Sequence, residues 1–215
     1  MFESERDQMV DLQIIARGIK DEALIEAMRV VSRHIFVPEE YWDEAYEDHP
    51  VSIGYGQTIS QPYVVALMLE MVQPDTSKRL LEIGSGSGYL VAVAAQLFKE
   101  AVGVERIEAL CVQSRKALQE VGVKTARIEC SDGYEGDPRQ AGQFDAIIIS
   151  CSCSHPPQPL LDQLAPGGIF VAPIGDDFIQ DLVIIRRAED GSLSTEMAGG
   201  VRFVPLISDR EQSGF

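Results

Sequence analysis

The chain has 215 residues, 45 % of them hydrophobic, which is enough for one sizeable core; a single domain is expected, residues 1–75 forming a helical cover and 76–215 the core. Thirty-four acidic residues against 18 basic ones give a net charge of −16, a surface that repels polyanions and argues against nucleic acid as substrate. Cys111, Cys130, Cys151 and Cys153 lack Cys-x-x-Cys spacing, the N-terminus is too charged for a signal peptide, and no apolar run approaches a membrane span. A cytoplasmic protein with reduced thiols, no metal and no membrane partner is the expectation.

Met9, Val10, Leu12, Ile14 and Ile15, followed by Gly18, predict an amphipathic helix with a C-terminal glycine. Asp21 caps a second helix carrying Leu24, Ile25, Met28, Val31 and Ile35, which Phe36-Val37-Pro38 terminates. Residues 46–59 are polar and glycine-containing and read as a loop. A helix opens near Ser60, with Pro62 in its first turn, and continues through residues 64–72. From Arg79 onward strands and helices alternate: strands at 80–83, 101–104, 125–130, 144–149 and 168–172, with helices reaching Phe98 and covering 107–121 and 159–164. That rhythm predicts an α/β fold, a doubly wound, mostly parallel Rossmann-like sheet with helices on both faces. Residues 182–185 and 201–204, flanking a turn at Asp190-Gly191, predict an antiparallel C-terminal strand pair at the sheet edge.

The first parallel strand runs into Glu82-Ile83-Gly84-Ser85-Gly86-Ser87-Gly88-Tyr89. A strand, a glycine turn and a helix in that order bring backbone amides close to a ligand. In a dinucleotide fingerprint, G-x-G-x-x-G, the last glycine would fall at Tyr89, so a nicotinamide dehydrogenase is disfavoured. The acid Glu82 before the loop suits a ligand carrying an ammonium group and no pyrophosphate, such as S-adenosylmethionine, with Gly84, Ser85 and Gly86 against it. Glu105 ends the next strand, where one carboxylate can accept from both ribose hydroxyls; the alternative is a solvated glutamate. Ser131-Asp132-Gly133 ends the third strand, where the acid could meet an adenine amino group, or simply form a turn. Residues 150–158 hold His155-Pro156-Pro157-Gln158 in place of the Asn/Asp-Pro-Pro-aromatic motif of amino-methylating enzymes; His155 reads as a surface histidine more than a general base.

The stretch Ile53-Gly54-Tyr55-Gly56-Gln57-Thr58-Ile59-Ser60-Gln61-Pro62-Tyr63 resembles the hallmark of the protein-L-isoaspartate O-methyltransferases. The likeness extends through Phe36-Val37-Pro38, the glycine loop, Val104-Glu105-Arg106, Phe144-Asp145-Ala146-Ile147, Gln163-Leu164-Ala165-Pro166-Gly167-Gly168 and Val201-Arg202-Phe203-Val204-Pro205-Leu206, covering residues 30–206. It implies methyl transfer from S-adenosylmethionine to the free carboxylate of L-isoaspartyl residues in damaged proteins or peptides. It also implies Ser60, with Thr58, as the active-site hydroxyls, although Ser60 could instead cap its helix. Gln57, Thr58, Ile59 and Ser60 would line cofactor and substrate, and Glu105, Arg106, Ser131, Asp132 and, in the tail, Gln212 would approach the cofactor.

This sequence departs from the family at Ser131, where many relatives carry glycine, and at residues 150–154, where Thr and Ala are usual. The second departure keeps open methylation of a normal aspartate in a dedicated precursor peptide, and a cofactor-binding protein without transferase activity is a further alternative. A substrate cleft is expected between residues 51–60 and the loop 150–155. Oligomeric state is not legible in the sequence.

Overall fold

The computed structural model describes residues 2–139, 143–176 and 178–208. The chain starts with α1 (Glu3–Met9), which continues through a π-helical turn, Val10–Ile14, and a 3₁₀ turn, Ile15–Arg17, to Gly18 at φ 98°. That left-handed residue is the predicted C-terminal glycine. Asp21 caps α2 (Glu22–Val30) by accepting the Leu24 N–H at 2.9 Å. The helix is shorter than its apolar pattern suggests. Val31 is extended, and a separate 3₁₀ turn, Arg33–Phe36, carries Ile35. Two β-branched residues in a row, Val30 and Val31, followed by Ser32 weaken the helix at this point.

Residues 46–59 are not simply a loop. They contain an antiparallel hairpin, β1 (Val51–Gly54) and β2 (Gln57–Ile59), paired Val51 with Ile59 and Ser52 with Thr58. Its two turn residues, Tyr55 and Gly56, both have positive φ (55° and 71°), as a type I′ turn requires. Strands this short leave little alternation to read, and Tyr-Gly is a weaker hairpin signal than Asn-Gly. Next, α3 (Pro62–Met71) begins at Pro62 with Gln61 as its N-cap, so Ser60 lies outside the helix and does not cap it.

The large sheet is built from β3 (Arg79–Ile83), β4 (Glu100–Glu105), β5 (Ala126–Cys130), β6 (Phe144–Ile149), β7 (Leu164–Gly175), β8 (Gln180–Arg187) and β9 (Leu193–Val201). Their order is β5-β4-β3-β6-β7-β8-β9, parallel from β5 to β7 and antiparallel for β8 and β9. The helices α4 (Tyr89–Ala94), α5 (Glu108–Glu120) and α6 (Gln158–Asp162) follow β3, β4 and β6. Both faces of the central strands are covered: Leu80 and Ile148 join the core beneath the N-terminal helices, while Leu81, Ile83, Ile147 and Ile149 join the core on the other side. This explains why these strands read as continuous apolar runs. The antiparallel pair is present at the sheet edge, but its second strand is Leu193–Val201, not residues 201–204. That strand is exposed along nearly its whole length, so it carries no burial pattern to read.

After Val201 the chain turns back over the carboxyl ends of the strands. The Ser152 N–H donates to Val204 O at 2.8 Å, and the Leu206 N–H to Ser152 O at 2.7 Å. The strand order reverses between β3 and β6, so the crevice at their carboxyl ends is the position where open α/β sheets bind ligands. The glycine turn there rests on β4, with the Gly84 and Ser85 N–H groups donating to Val104 O at 2.9 and 3.1 Å.

Gly103 makes that approach possible, because a Cβ on it would lie 2.7 Å from Ile128 Cδ1 and 2.8 Å from Ser85 Cβ. Gly103→Ala is therefore expected to cost about 1–3 kcal/mol by overpacking, read as a lowered midpoint in urea unfolding with an unchanged slope.

Candidate active site

Two cavities and a cleft meet at the carboxyl ends of β3 and β6. The first cavity, of about 230 Å³, is lined by Gln57, Thr58, Gly84, Gly86, Glu105 and Arg106 among the residues expected from the sequence. The second, of about 30 Å³, lies beneath it and touches Thr58, Ile59, Ser60, Glu82, Gly84, Ser85 and Gly86. The cleft, of about 820 Å³, opens outward and is lined by Thr58, Ser60, Gln61 and Tyr63 on one side. Thr58 and Ser150 border all three spaces, and Ser60 borders the cleft and the inner cavity. Neither the Thr58 nor the Ser60 hydroxyl is engaged by another protein group among the described residues.

The opposite wall of the cleft differs from expectation. Of the loop 150–155 only Ser150 reaches it; the rest of the wall is Leu182 and residues 198–205. Cys151 and Cys153 turn inward and are buried, and Cys151 joins the lining of the first cavity. Burial holds the Cys151 thiol well above its usual range, so it stays protonated. His155 sits on the exposed side of that loop, 2.9 Å from the Ser154 hydroxyl.

Glu82 and Glu105 are both buried, and they are held in opposite ways. Glu105 accepts the Gly86 N–H on Oε2 and the Ile107 N–H on Oε1, each at 2.9 Å. These bonds tie the glycine loop to the start of α5, and each oxygen keeps a further lone pair. Glu82 accepts from the Ser150 hydroxyl at 2.5 Å on Oε1, while its buried Oε2 has no hydrogen-bond partner among the described residues beyond a weak influence of the Val91 N–H. Burial lifts its pKa from 4.5 to about 8, the Ser150 bond opposes this, and the nearby charge of Glu105 adds to it.

Arg106 lines the first cavity and donates to the Ile207 carbonyl at 2.8 Å. Asp132 accepts from the Tyr134 N–H at 3.0 Å and from the Ser208 hydroxyl at 2.8 Å. Both residues thus hold the segment 204–208 along the cavity mouth. Ser131 and Asp132 are not among the lining residues, although their neighbour Gly133 is. Gln212 lies outside the described residues. Sequence reasoning held Ser150 and Tyr55 only within the expected walls of the substrate cleft and not beside the first cavity, and it did not place the 204–207 segment at the site; the available signal for Ser150 was its place directly after β6, at the switch point of the sheet.

Ser60 is positioned from below. Arg33, fully buried, donates to Ser60 O at 2.8 Å and to Ala45 O at 2.6 Å, and its guanidinium lies 4.9 Å from the Tyr89 ring centroid. Burial lowers its pKa to about 10, which leaves it charged at neutral pH.

Residues 4–211 match the family model described as protein-L-isoaspartate(D-aspartate) O-methyltransferase. The chain belongs to the protein-L-isoaspartate O-methyltransferase family. It is 45 % identical over 206 residues to protein-L-isoaspartate O-methyltransferase 1 of Syntrophobacter fumaroxidans, covering 96 % of this chain and 95 % of that one. Its identity to the enzyme of Methanoculleus marisnigri is 47 % over 203 residues, covering 94 % and 91 %. A Plasmodium falciparum crystal structure carrying the same enzyme name, in complex with S-adenosyl-L-homocysteine, superposes with a TM-score of 0.81 at 27 % identity, covering 94 % and 98 %. The strand order and the antiparallel edge pair are thus those of a methyltransferase fold.

The Glu82 assignment has a direct test in stability. Below pH 4.5 its carboxyl is neutral in both folded and unfolded chains and costs nothing. As pH rises from 4.5 through about 8 the unfolded chain ionises first, so the folded state loses stability, and the loss is complete above 8. Glu82→Gln removes this loss: in the absence of ligand its melting temperature should match the parent at pH 5 and exceed it at pH 9. Equal melting temperatures at both pH values would contradict the buried, half-satisfied carboxylate.

Proposed function

We propose that the chain transfers a methyl group from S-adenosylmethionine to the free carboxylate of L-isoaspartyl residues in damaged proteins or peptides, as a repair enzyme of the cytoplasm that does not act on nucleic acid. The observation that carries this reading is the meeting of both cavities and the open cleft at the Thr58 and Ser150 hydroxyls, with Ser60 between the inner cavity and the cleft, and with no His, Lys or carboxylate lining the cleft among the described residues. The reaction matches that lining. An isoaspartyl carboxylate is already ionised at neutral pH and needs no general base. What it needs is alignment and exclusion of competing water, which can contribute several kcal/mol without acid–base groups.

The residues present fit the cofactor. A buried carboxylate oxygen without a hydrogen-bond partner among the described residues, Glu82 Oε2, suits its ammonium group, and Gly84 and Gly86 leave the approach open. A Cβ at Gly84 or Gly86 would come within 3.1 Å of Cys151 Sγ or 3.3 Å of Ile53 Cδ1, so side chains there would crowd the cavity. Glu105 has lone pairs left for the ribose hydroxyls, and Arg106 and Gly133 line the same cavity, Asp132 acting behind them by holding Ser208. Bound there, S-adenosylmethionine supplies an electrophilic methyl on a sulfonium. Thr58 and Ser60 donate hydrogen bonds that fix the acceptor carboxylate without removing its nucleophilicity, and Arg33 holds the Ser60 backbone in place.

Matched hexapeptides containing L-isoaspartate or L-aspartate, incubated with labelled S-adenosylmethionine, test the function. The two isomers carry equal charge and differ in where the backbone leaves, so alignment alone separates them. The isoaspartyl peptide should be methylated on the order of 100-fold faster. Activity confined to the aspartyl peptide would favour a biosynthetic role and overturn the repair reading.

Two substitutions test the roles. Glu105→Gln should weaken S-adenosylhomocysteine by about 30- to 150-fold in calorimetric titration, the equivalent of 2–3 kcal/mol in charge-assisted bonds. Ser60→Ala should lower kcat at least tenfold while the melting temperature stays unchanged, because Ser60 caps no helix. A fall in stability with kcat preserved would assign the hydroxyl a structural task instead.

A further inference from the structure

The charge of the cleft is opposite to that of the protein. On a chain of net charge −16, the charged residues lining the 820 Å³ cleft, among the described residues, are Arg17 and Arg202. Their situations differ. The Arg17 guanidinium stacks on Tyr63 at 3.6 Å from the ring centroid and pairs with Asp48 at 3.2 Å, so much of its charge is offset. Asp48 is held there in turn by the Gln61 side-chain amide at 2.8 Å. Arg202 is exposed and makes no ion pair among the described residues. It stands on the segment that leaves β9 and runs past the cavity mouth, on the wall facing Tyr63 and Gln61. A substrate segment lying in the cleft therefore passes a cation that has no ion-pair partner among the described residues and that lines the same cleft as Thr58 and Ser60.

The net charge and the local charge make opposite demands. The net charge favours basic substrates through a long-range field, whereas Arg202 favours acidic ones at contact distance. At 0.15 M salt the Debye length is about 8 Å, so the distant carboxylates are largely screened while a group inside the cleft is not. Local charge should then decide. We propose that Arg202, seconded by Arg17, makes the enzyme select isoaspartyl segments that carry a further acidic residue beside the damaged one. This rests on the isoaspartyl reading of the same site and adds the class of sequence it takes. An exposed pair of this kind is worth roughly a two- to fivefold difference in KM.

The test uses three isoaspartyl peptides of one length, flanked by Glu, Ala or Lys, with the full-length enzyme at 0.15 M salt. The expected order of KM is Glu below Ala below Lys, with little change in kcat. In Arg202→Gln the Glu-to-Ala ratio should collapse toward one, and in Arg202→Glu the Lys peptide should become the best substrate. Arg202 is exposed, so both variants keep the fold, and circular dichroism verifies it. Equal KM for the three peptides, a Lys preference in the parent, or a Glu preference that survives in both variants would overturn the proposal while leaving the isoaspartyl activity standing. Methylation of none of the three would instead remove the isoaspartyl reading, and this proposal with it.

Discussion

The site depends on one half-satisfied carboxylate. Glu82 sits one residue from the carboxyl end of β3, on the face that packs beneath the N-terminal helices, where a charge without a partner is costly. The Ser150 hydroxyl satisfies one oxygen and thereby links the ends of β3 and β6, the two strands between which the sheet order reverses. The other oxygen has no hydrogen-bond partner among the described residues. A fold stable without such a partner must tolerate a proton there at neutral pH, and the raised pKa of Glu82 expresses this. Glu105, whose two oxygens are both held by backbone N–H groups, instead fixes the glycine loop so that the space beside Glu82 keeps its shape.

Around that pair the elements divide the work. The hairpin β1–β2 carries Thr58 to the junction, and the turn before α3 carries Ser60, anchored through Arg33. On the far side, the segment after β9 is stapled to Ser152, to Arg106 and to Asp132, and it lines both the first cavity and a wall of the outer cleft. The first cavity and the cleft therefore share one short stretch of chain. A family fold with a sheet of this order needs few further devices, because the nucleophile of the reaction arrives ionised.

The parallel core was legible because strands buried on both faces must be apolar throughout, and residues 80–83 and 144–149 are. The glycine loop with Glu82, and Glu105 at the end of the neighbouring strand, were legible for the same reason: their position follows from strand order, not from packing detail. The hairpin at residues 51–59 was not, since strands of three and four residues hide within polar sequence. Nor was the second edge strand, which buries nothing. The far wall of the cleft was placed on residues 150–155 by its nearness to β6 in sequence, but a tail returning from residue 201 occupies that side, and no local pattern announces a chain that folds back over a sheet. For Asp132 the sequence indicated the end of a strand and could not show that Ser208 would reach it. The family resemblance carried Thr58 and Ser60, whose hydroxyls have no local signature of their own.

The central claim is that Glu82 awaits a cation. Affinity for S-adenosylhomocysteine, whose amino group is a protonated ammonium throughout the range from pH 6 to 8, measures it most directly. If Glu82 ionises when that ammonium docks, the association constant should rise by up to about tenfold per pH unit from pH 6 toward the Glu82 pKa of about 8, then fall as the amine deprotonates. Glu82→Gln should lose the rising limb and keep the falling one. An affinity in the parent that is flat between pH 6 and 8, or a rising limb preserved in Glu82→Gln, would contradict the account.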